Sequence, residues 1–138
     1  VRSPIEYASK FEARIAKELG EAGVSFKYED TSYEYDEPLR KNRARCAECD
    51  STDLVRTGWY TPDFFLQSGY IIETKGRFTA ADRRKMVAVK ADHPDVKIVM
   101  LFMRDNKIHR NSKTYYSDWC MENGYDYAIG HPKQEWLK

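Results

Sequence analysis

The sequence has no apolar run that approaches the roughly 20 residues of a membrane span. It also has no amino-terminal stretch with the pattern of a secretory signal, so a membrane partner is not expected. The first residue is Val1, which leaves room for a segment upstream. Cysteine is scarce: Cys46, Cys49 and Cys120 are the three in the chain. An odd count without an export signal argues against a disulfide framework and for a reducing compartment. Strong net charge is missing too, because 23 Lys and Arg stand against 22 Asp and Glu, for a formal charge of +1. Total charge therefore does not announce nucleic acid. No internal repeat, low-complexity segment or base-reading motif is visible. What remains is 138 residues, 41% apolar and 33% charged, a composition that suits one globular domain able to bury a core without disulfides.

The pattern along the chain predicts a mixed α/β core. "SPIEYASKFEARIAKELGEAG" reads as a helix, with Ser3 as cap, Pro4 in the first turn and Glu6 completing a capping box. Ala8, Phe11, Ile15 and Leu19 form its apolar stripe. "VSFKYED" alternates as a strand does. Residues 30–58 show no sustained period, and Pro38 with the charge density predicts an extended arm carrying an insertion. "WYTPDFFL" and "GYIIETKG" read as two strands of a hairpin turning at Gln67-Ser68-Gly69. "TAADRRKMVAVKADHP" is a helix capped by Thr79. "VKIVMLFM" is a central strand, "YYSDWCMENG" a short helix and "YDYAIG" a last strand.

Three charges sit in or beside the apolar runs of the hairpin: Asp63, Glu73 and Lys75. Isolated buried charges are costly unless paired or bound to something. Glu73 and Lys75, two apart, share one face of a strand. A turn near Ser68 puts Asp63 roughly opposite Glu73. Two carboxylates so placed repel, and a divalent cation removes the repulsion. Oxygen donors of this kind suit Mg²⁺ or Mn²⁺, with Lys75 placed to orient a water or to stabilise charge on phosphorus. The plain alternative is an exposed Glu–Lys pair on a strand edge, worth little. The spacing, the apolar flanks and a preceding helix with its own glutamate favour the site. That glutamate is Glu12, at the border of the apolar stripe. It reads either as an ordinary flank residue or as a third carboxylate reaching the cluster.

The pattern P-D-x9-E-T-K resembles the PD-(D/E)xK nuclease motif. The segments "FEARIAKELGEAGVSFKYE", "YTPDFFLQSGYIIETKG", "ADRRKMVAVKADHPDVKIVMLF" and "TYYSDWCMENGYDYA" are similar to the phage endonuclease I family. The resemblance implies a restriction-endonuclease-like nuclease core, with a mixed β-sheet flanked by helices. It also implies a metal-dependent enzyme that nicks branched DNA, four-way Holliday junctions above all, in the cytoplasm of a bacterial host. Carried over, Glu12, Asp63 and Glu73 are the acids at the metal site and Lys75 the catalytic lysine. The family further implies a domain-swapped homodimer. Residues 1–29 of one chain would pack on the core, residues 59–138, of the other, across a bridge within 30–58. Two departures stand out. Lys27 occupies a position where the family often carries an acid, so either Glu29 compensates or that acid is dispensable. The bridge is also longer, by the segment "RKNRARCAECDSTDLVR".

That segment holds Cys46 and Cys49 as C-x2-C, half of a zinc site. Three readings are open: Zn²⁺ shared across a dimer axis, a site within one chain completed by His109, His131 or an acid, or two reduced cysteines. Cys120 on an amphipathic helix is expected in the core. The basic runs, Arg40, Lys41, Arg43 and Arg45 and then Arg83, Arg84 and Lys85, are candidates for gripping DNA phosphates, with a further run at residues 104–113. The expected function is a Mg²⁺-dependent, structure-selective endodeoxyribonuclease that resolves four-way junctions. The alternatives are a sequence-specific nicking or homing nuclease on the same core, or a catalytically inactive junction-binding protein.

Overall fold

A computed structural model describes residues 6–38 and 55–138. In chain order the elements are α1 (Lys10–Glu21), β1 (Phe26–Tyr28), β2 (Tyr33–Pro38), β3 (Val55–Tyr60), β4 (Phe64–Leu66) and β5 (Ile71–Lys75). They continue with α2 (Ala80–Asp92), β6 (Ile98–Phe102), α3 (Tyr116–Asn123), β7 (Tyr127–Ile129) and α4 (Gln134–Leu137). Five strands form a mixed sheet in the order β1-β4-β5-β6-β7. The β1–β4 and β4–β5 pairs are antiparallel, and the β5–β6 and β6–β7 pairs parallel. The expected mixed α/β architecture is therefore present.

Alternation along the strands sends side chains to two cores. On β6, Val99 and Leu101 join Ile72, Phe64 and Trp136 under α1, which contributes Phe11, Ile15 and Leu19. The intervening Ile98, Met100 and Phe102 join Ile71 and Phe78 under α2 and α3, which contribute Met86, Val89, Trp119 and Cys120. With both faces covered, all five residues of β6 are buried, which is why it reads as an unbroken apolar run. Because β5, β6 and β7 advance in one direction, right-handed crossovers put α2 and α3 on the same face. Leu19 is fully buried, so truncating it to alanine is expected to cost about 2–5 kcal/mol.

The structure corrects three expectations. The first helix begins at Lys10. Its cap is Ser9, whose side chain accepts from the Glu12 amide at 3.1 Å, and Glu6 lies outside the helix. Ser3 and Pro4 fall outside the described residues. "WYTPDFFL" is two strands: β3 ends at Tyr60 and β4 begins at Phe64. Pro62 between them has no amide to give a ladder, and the chain changes sheets there. Residues 30–58 also hold regular structure, since β2 and β3 pair antiparallel as a two-stranded ribbon. This ribbon packs on α2. The alternation of β2 turns Tyr35 and Glu37 inward, and Glu37 is bound by Arg56 Nη2 at 2.8 Å and Arg84 Nε at 3.3 Å.

Candidate active site

The hairpin brings Asp63 and Glu73 together as the spacing predicts. Phe64 pairs with Ile72 and Phe65 with Ile71, which sets Asp63 opposite Glu73 just before the start of β4. Asp63 is buried. Its Oδ2 accepts from the Thr74 amide at 2.8 Å and from Thr74 Oγ1 at 2.6 Å. Its carbonyl accepts from the Glu29 amide at 2.9 Å. These bonds pin the carboxylate and tie it to the exit of β1. Burial pushes the Asp63 carboxyl above its ordinary pKa, against the pull of the Thr74 hydrogen bonds.

The two faces of the sheet bring different partners to this point. From the α1 side comes Glu12, buried, with the Tyr28 hydroxyl donating to its carboxylate. That hydroxyl in turn accepts from the Ala8 amide at 3.1 Å. Burial raises the Glu12 pKa, the Tyr28 bond opposes this, and the charge of Asp63 adds to it. Carboxylate oxygens of Glu12, Glu29 and Asp63 lie within 4.8 Å of one another. Glu29 is exposed and holds φ +49°, the left-handed region a non-glycine residue rarely adopts. The structure thus brings Glu29 into the cluster, while Lys27 is exposed on β1.

Glu73 and Lys75 project from β5 on the opposite face, with Ile71. Glu73 is 5% exposed. Its Oε2 stands 3.4 Å from Lys75 Nζ, and its Oε1 is buried without a hydrogen-bond partner. The Tyr60 hydroxyl is likewise buried and unpartnered. Burial, and then the neighbouring Asp63 charge, hold the Glu73 pKa well above the carboxylate range. Lys75 Nζ also lies 3.6 Å from Asp82 Oδ1. Burial would lower the lysine pKa, but Glu73, Asp82 and Asp63 outweigh it and raise it. Lys75 is therefore a cation at neutral pH.

Asp63 is the hinge of the arrangement, with Glu12 and Glu29 on one side and Glu73 with Lys75 on the other. Glu12, Asp63 and Glu73 are three buried carboxyls whose pKa values all rise, and the oxygens that converge within 4.8 Å of one another are those of Glu12, Glu29 and Asp63, an all-oxygen donor set. Such a set fits a hard divalent cation. Sequence reading missed Thr74, Asp82 and Tyr28 as supports of the site. Thr74 alternates with Glu73, so strand periodicity turns it to the other face, and only the hairpin geometry shows Asp63 reaching it.

The remaining candidates fall elsewhere. Arg40, Lys41, Arg43, Arg45, Cys46 and Cys49 lie outside the described residues. Arg83 Nη1 donates to the carbonyls of Phe78 at 2.8 Å and Ile108 at 3.3 Å. Arg84 pairs with Glu37, and Lys85 Nζ sits 5.5 Å from the centroid of the Tyr60 ring. His131 Nδ1 is 2.9 Å from Glu18 Oε1. Cys120 is buried, and burial pushes its thiol up to about 12, as suits a packing residue. A cavity of about 600 Å³ against α2 is lined by Glu37, Arg84, Val87 and Trp119, and none of the clustered acids borders it.

Comparison with known proteins places the chain among the nucleases. Endonuclease I of Escherichia phage T7 is 28% identical over 139 residues, covering 100% of this chain and 83% of the relative. Endodeoxyribonuclease 1 of Enterobacteria phage T3 is 32% identical over 138 residues, covering 94% of this chain and 80% of the relative. Residues 51–138 match the family model described as phage endonuclease I, and the chain belongs to that family. The family match takes in Asp63, Glu73 and Lys75. Glu12 and Glu29 lie before it.

Proposed function

We propose that the protein is a divalent-metal-dependent endodeoxyribonuclease that cuts branched DNA, with four-way junctions as its substrate. The observation that supports it best is the convergence of the Glu12, Glu29 and Asp63 carboxylate oxygens within 4.8 Å of one another, with buried Glu73 and Lys75 beside Asp63. Asp63, Glu73 and Glu12, joined by Glu29, are the residues that would hold Mg²⁺ or Mn²⁺. When bound, such an ion stabilises charge on the phosphoryl oxygens and makes a water more acidic. Thr74 fixes the Asp63 carboxylate by two hydrogen bonds, and the Tyr28 hydroxyl holds the Glu12 carboxylate by one. The Lys75 ammonium, held charged by Glu73 and Asp82, is placed to stabilise negative charge developing on phosphorus rather than to take up a proton. A water oxygen forms the new bond to phosphorus, the P–O3′ bond breaks, and the 3′ oxygen leaves with a proton.

Within the single chain, α1 and β1 lie on the chain's own sheet. The working unit proposed here is a homodimer in which these elements are exchanged, so that each Glu12 serves its partner's Asp63. The exchange would preserve the contacts described above. No helix among the described residues is long and apolar enough to cross a membrane. The proposed place of action is the cytoplasm of the infected bacterial cell. Zn²⁺ at Cys46 and Cys49 remains a separate proposal, tested by metal content and by the stability of Cys46→Ser. Absence of zinc together with unchanged stability of the variant would dismiss it.

The test of the main reading is cleavage of a labelled four-way junction and a matched linear duplex, with and without Mg²⁺. Paired nicks in the junction that need the metal are expected. Equal cutting of both substrates, or of neither, overturns junction selectivity. Mixing two inactive proteins, Glu12→Gln and Glu73→Gln, tests the exchange. A swapped heterodimer regains one intact site and nicks, whereas an unswapped one stays silent.

A further inference from the structure

A second feature of the molecule is built for an anion. A cleft of about 500 Å³ opens between the start of α2 and the loop that follows β6. Its charged and polar lining includes Arg77, Thr79, Arg83, Lys107, His109 and Arg110, and no acidic residue lines it. Several other cations are spent on acids: Arg14 on Glu18, Arg56 and Arg84 on Glu37, and Lys133 on Asp126. Arg77, Lys107 and Arg110 form no ion pair among the described residues. On a chain of net charge +1, unspent cations gathered around one hollow repel each other until an anion enters.

The walls are held in place before any ligand arrives. Arg83 Nη1 bridges the Phe78 and Ile108 carbonyls, tying the β5–α2 turn to the loop and leaving Nε and Nη2 of the guanidinium available. The loop is closed at its base by Ile108 N to Thr114 O at 2.8 Å, Tyr116 N to Asn106 O at 2.9 Å and a Lys107–Tyr115 bridge. Preorganised donors cost little to bring to a ligand. Ala80, the first residue of the 13-residue α2, also lines the cleft and adds the positive end of the helix dipole. The same first turn carries Asp82, which holds Lys75 at 3.6 Å. The first turn of α2 therefore borders the cleft through Ala80 and holds Lys75 through Asp82.

We infer that this cleft grips a backbone phosphate of the DNA, through Arg77, Lys107 and Arg110. The inference rests on the nuclease reading and gives it a subsite. Each phosphate gripped by a cation contributes about 0.9 to the slope of log K against log salt on duplex DNA. The experiment measures binding of a fluorescent four-way junction in EDTA across a KCl series, for wild type, Arg77→Ala, Arg110→Ala and Lys17→Ala. Lys17 is an exposed lysine beside Glu21 on α1 and serves as control. The slope is expected to fall by about 1 in each arginine variant and to stay unchanged in Lys17→Ala. Arg77→Lys, which keeps the charge, should hold the wild-type slope, separating a phosphate contact from a fold defect. If wild type binds the junction and nicks it with Mg²⁺ while both arginine variants keep its slope, the cleft proposal fails and the nuclease reading stands. If wild type does not bind DNA, both fail. If inorganic phosphate raises the melting temperature of wild type but not of Arg77→Ala while both arginine variants keep the wild-type slope, the cleft serves a small anion, and the DNA assignment is overturned.

Discussion

Replacing Asp63 with asparagine should make the metal-free protein more stable and the enzyme inactive. Glu12 and Asp63 present oxygens within 4.8 Å of each other, and both side chains are buried, at 9% and 8% exposure. Two like charges at that separation repel by roughly 3 kcal/mol at an effective dielectric of 20, and by about 1 kcal/mol in water. Both carboxyls are already pushed toward protonation, which relieves part of the repulsion. A net gain of about 1–3 kcal/mol remains, a rise in Tm of roughly 3–12 °C for a domain of this size. The amide oxygen of the new side chain can still accept both Thr74 donors, so the β4–β5 geometry is kept. Saturating Mg²⁺ or Mn²⁺ should reverse the order. Wild type gains about 2.7 kcal/mol when the ion stands at 100 times its Kd, and Asp63→Asn gains little. The assay is thermal melting in EDTA and in each metal, with junction nicking beside it. A lower Tm for Asp63→Asn in EDTA would show that the carboxylate is an anchor for Thr74 and not a ligand. A full metal-dependent shift in the variant would refute the reasoning as directly.

Three other outcomes follow from the same geometry. Glu29→Gln should weaken Mn²⁺ binding, read by calorimetry, on the order of tenfold or more, the scale on which even outer-shell partners act; unchanged affinity would remove Glu29 from the site. Lys75→Met should lower the nicking rate on the order of 10²–10³-fold, the scale of losing one charge-stabilising donor, while keeping the metal-dependent Tm shift; loss of that shift would recast Lys75 as structural. Asp126 lies far from this chemistry. Burial would raise its pKa, but hydrogen bonds from Lys133 and Trp136 outweigh that and hold it below the ordinary carboxylate value. Its stabilisation is therefore complete above the unfolded pKa near 3.9 and lost as pH falls through the lower folded value. The Tm of Asp126→Asn should sit below wild type at pH 7 and converge with it in strong acid; a gap that widens toward low pH would contradict this.

The central sheet was legible because its periodicity is clean. The run of β6 and the i, i+2 pairing of Glu73 with Lys75 leave few other readings, and Gly69 marks the turn that sets Asp63 against Glu73. The β2–β3 ribbon was harder to see. Tyr33 and Tyr35 do alternate with Glu34 and Asp36, but the next inward residue is Glu37, which looks like solvent charge until Arg56 and Arg84 are found on it. Its partner strand returns only at Val55, too far along the chain for a local pattern to connect them. The start of α1 was misplaced because Ser3 and Pro4 offer one start signal and Ser9 with Glu12 offers another, two residues before the buried Phe11. Only burial of Phe11 and Ile15 chooses between them. Glu29 could be suspected from the unexpected Lys27, but its entry into the cluster depends on a left-handed backbone angle that no spacing rule reports.

The position of Asp63 on the seam between two hydrophobic cores has a consequence for when the protein becomes dangerous to DNA. Glu12 is delivered by the packing of α1, and Lys75 is steadied by the packing of α2. Under the proposed site, a copy in which only one core has consolidated would hold half of its residues. Cutting power would then be the last property such a chain acquires on folding and the first it loses. In a urea titration nicking is expected to vanish with whichever core loosens first. Nicking that outlasts the melting of α1 would show that the safeguard does not exist.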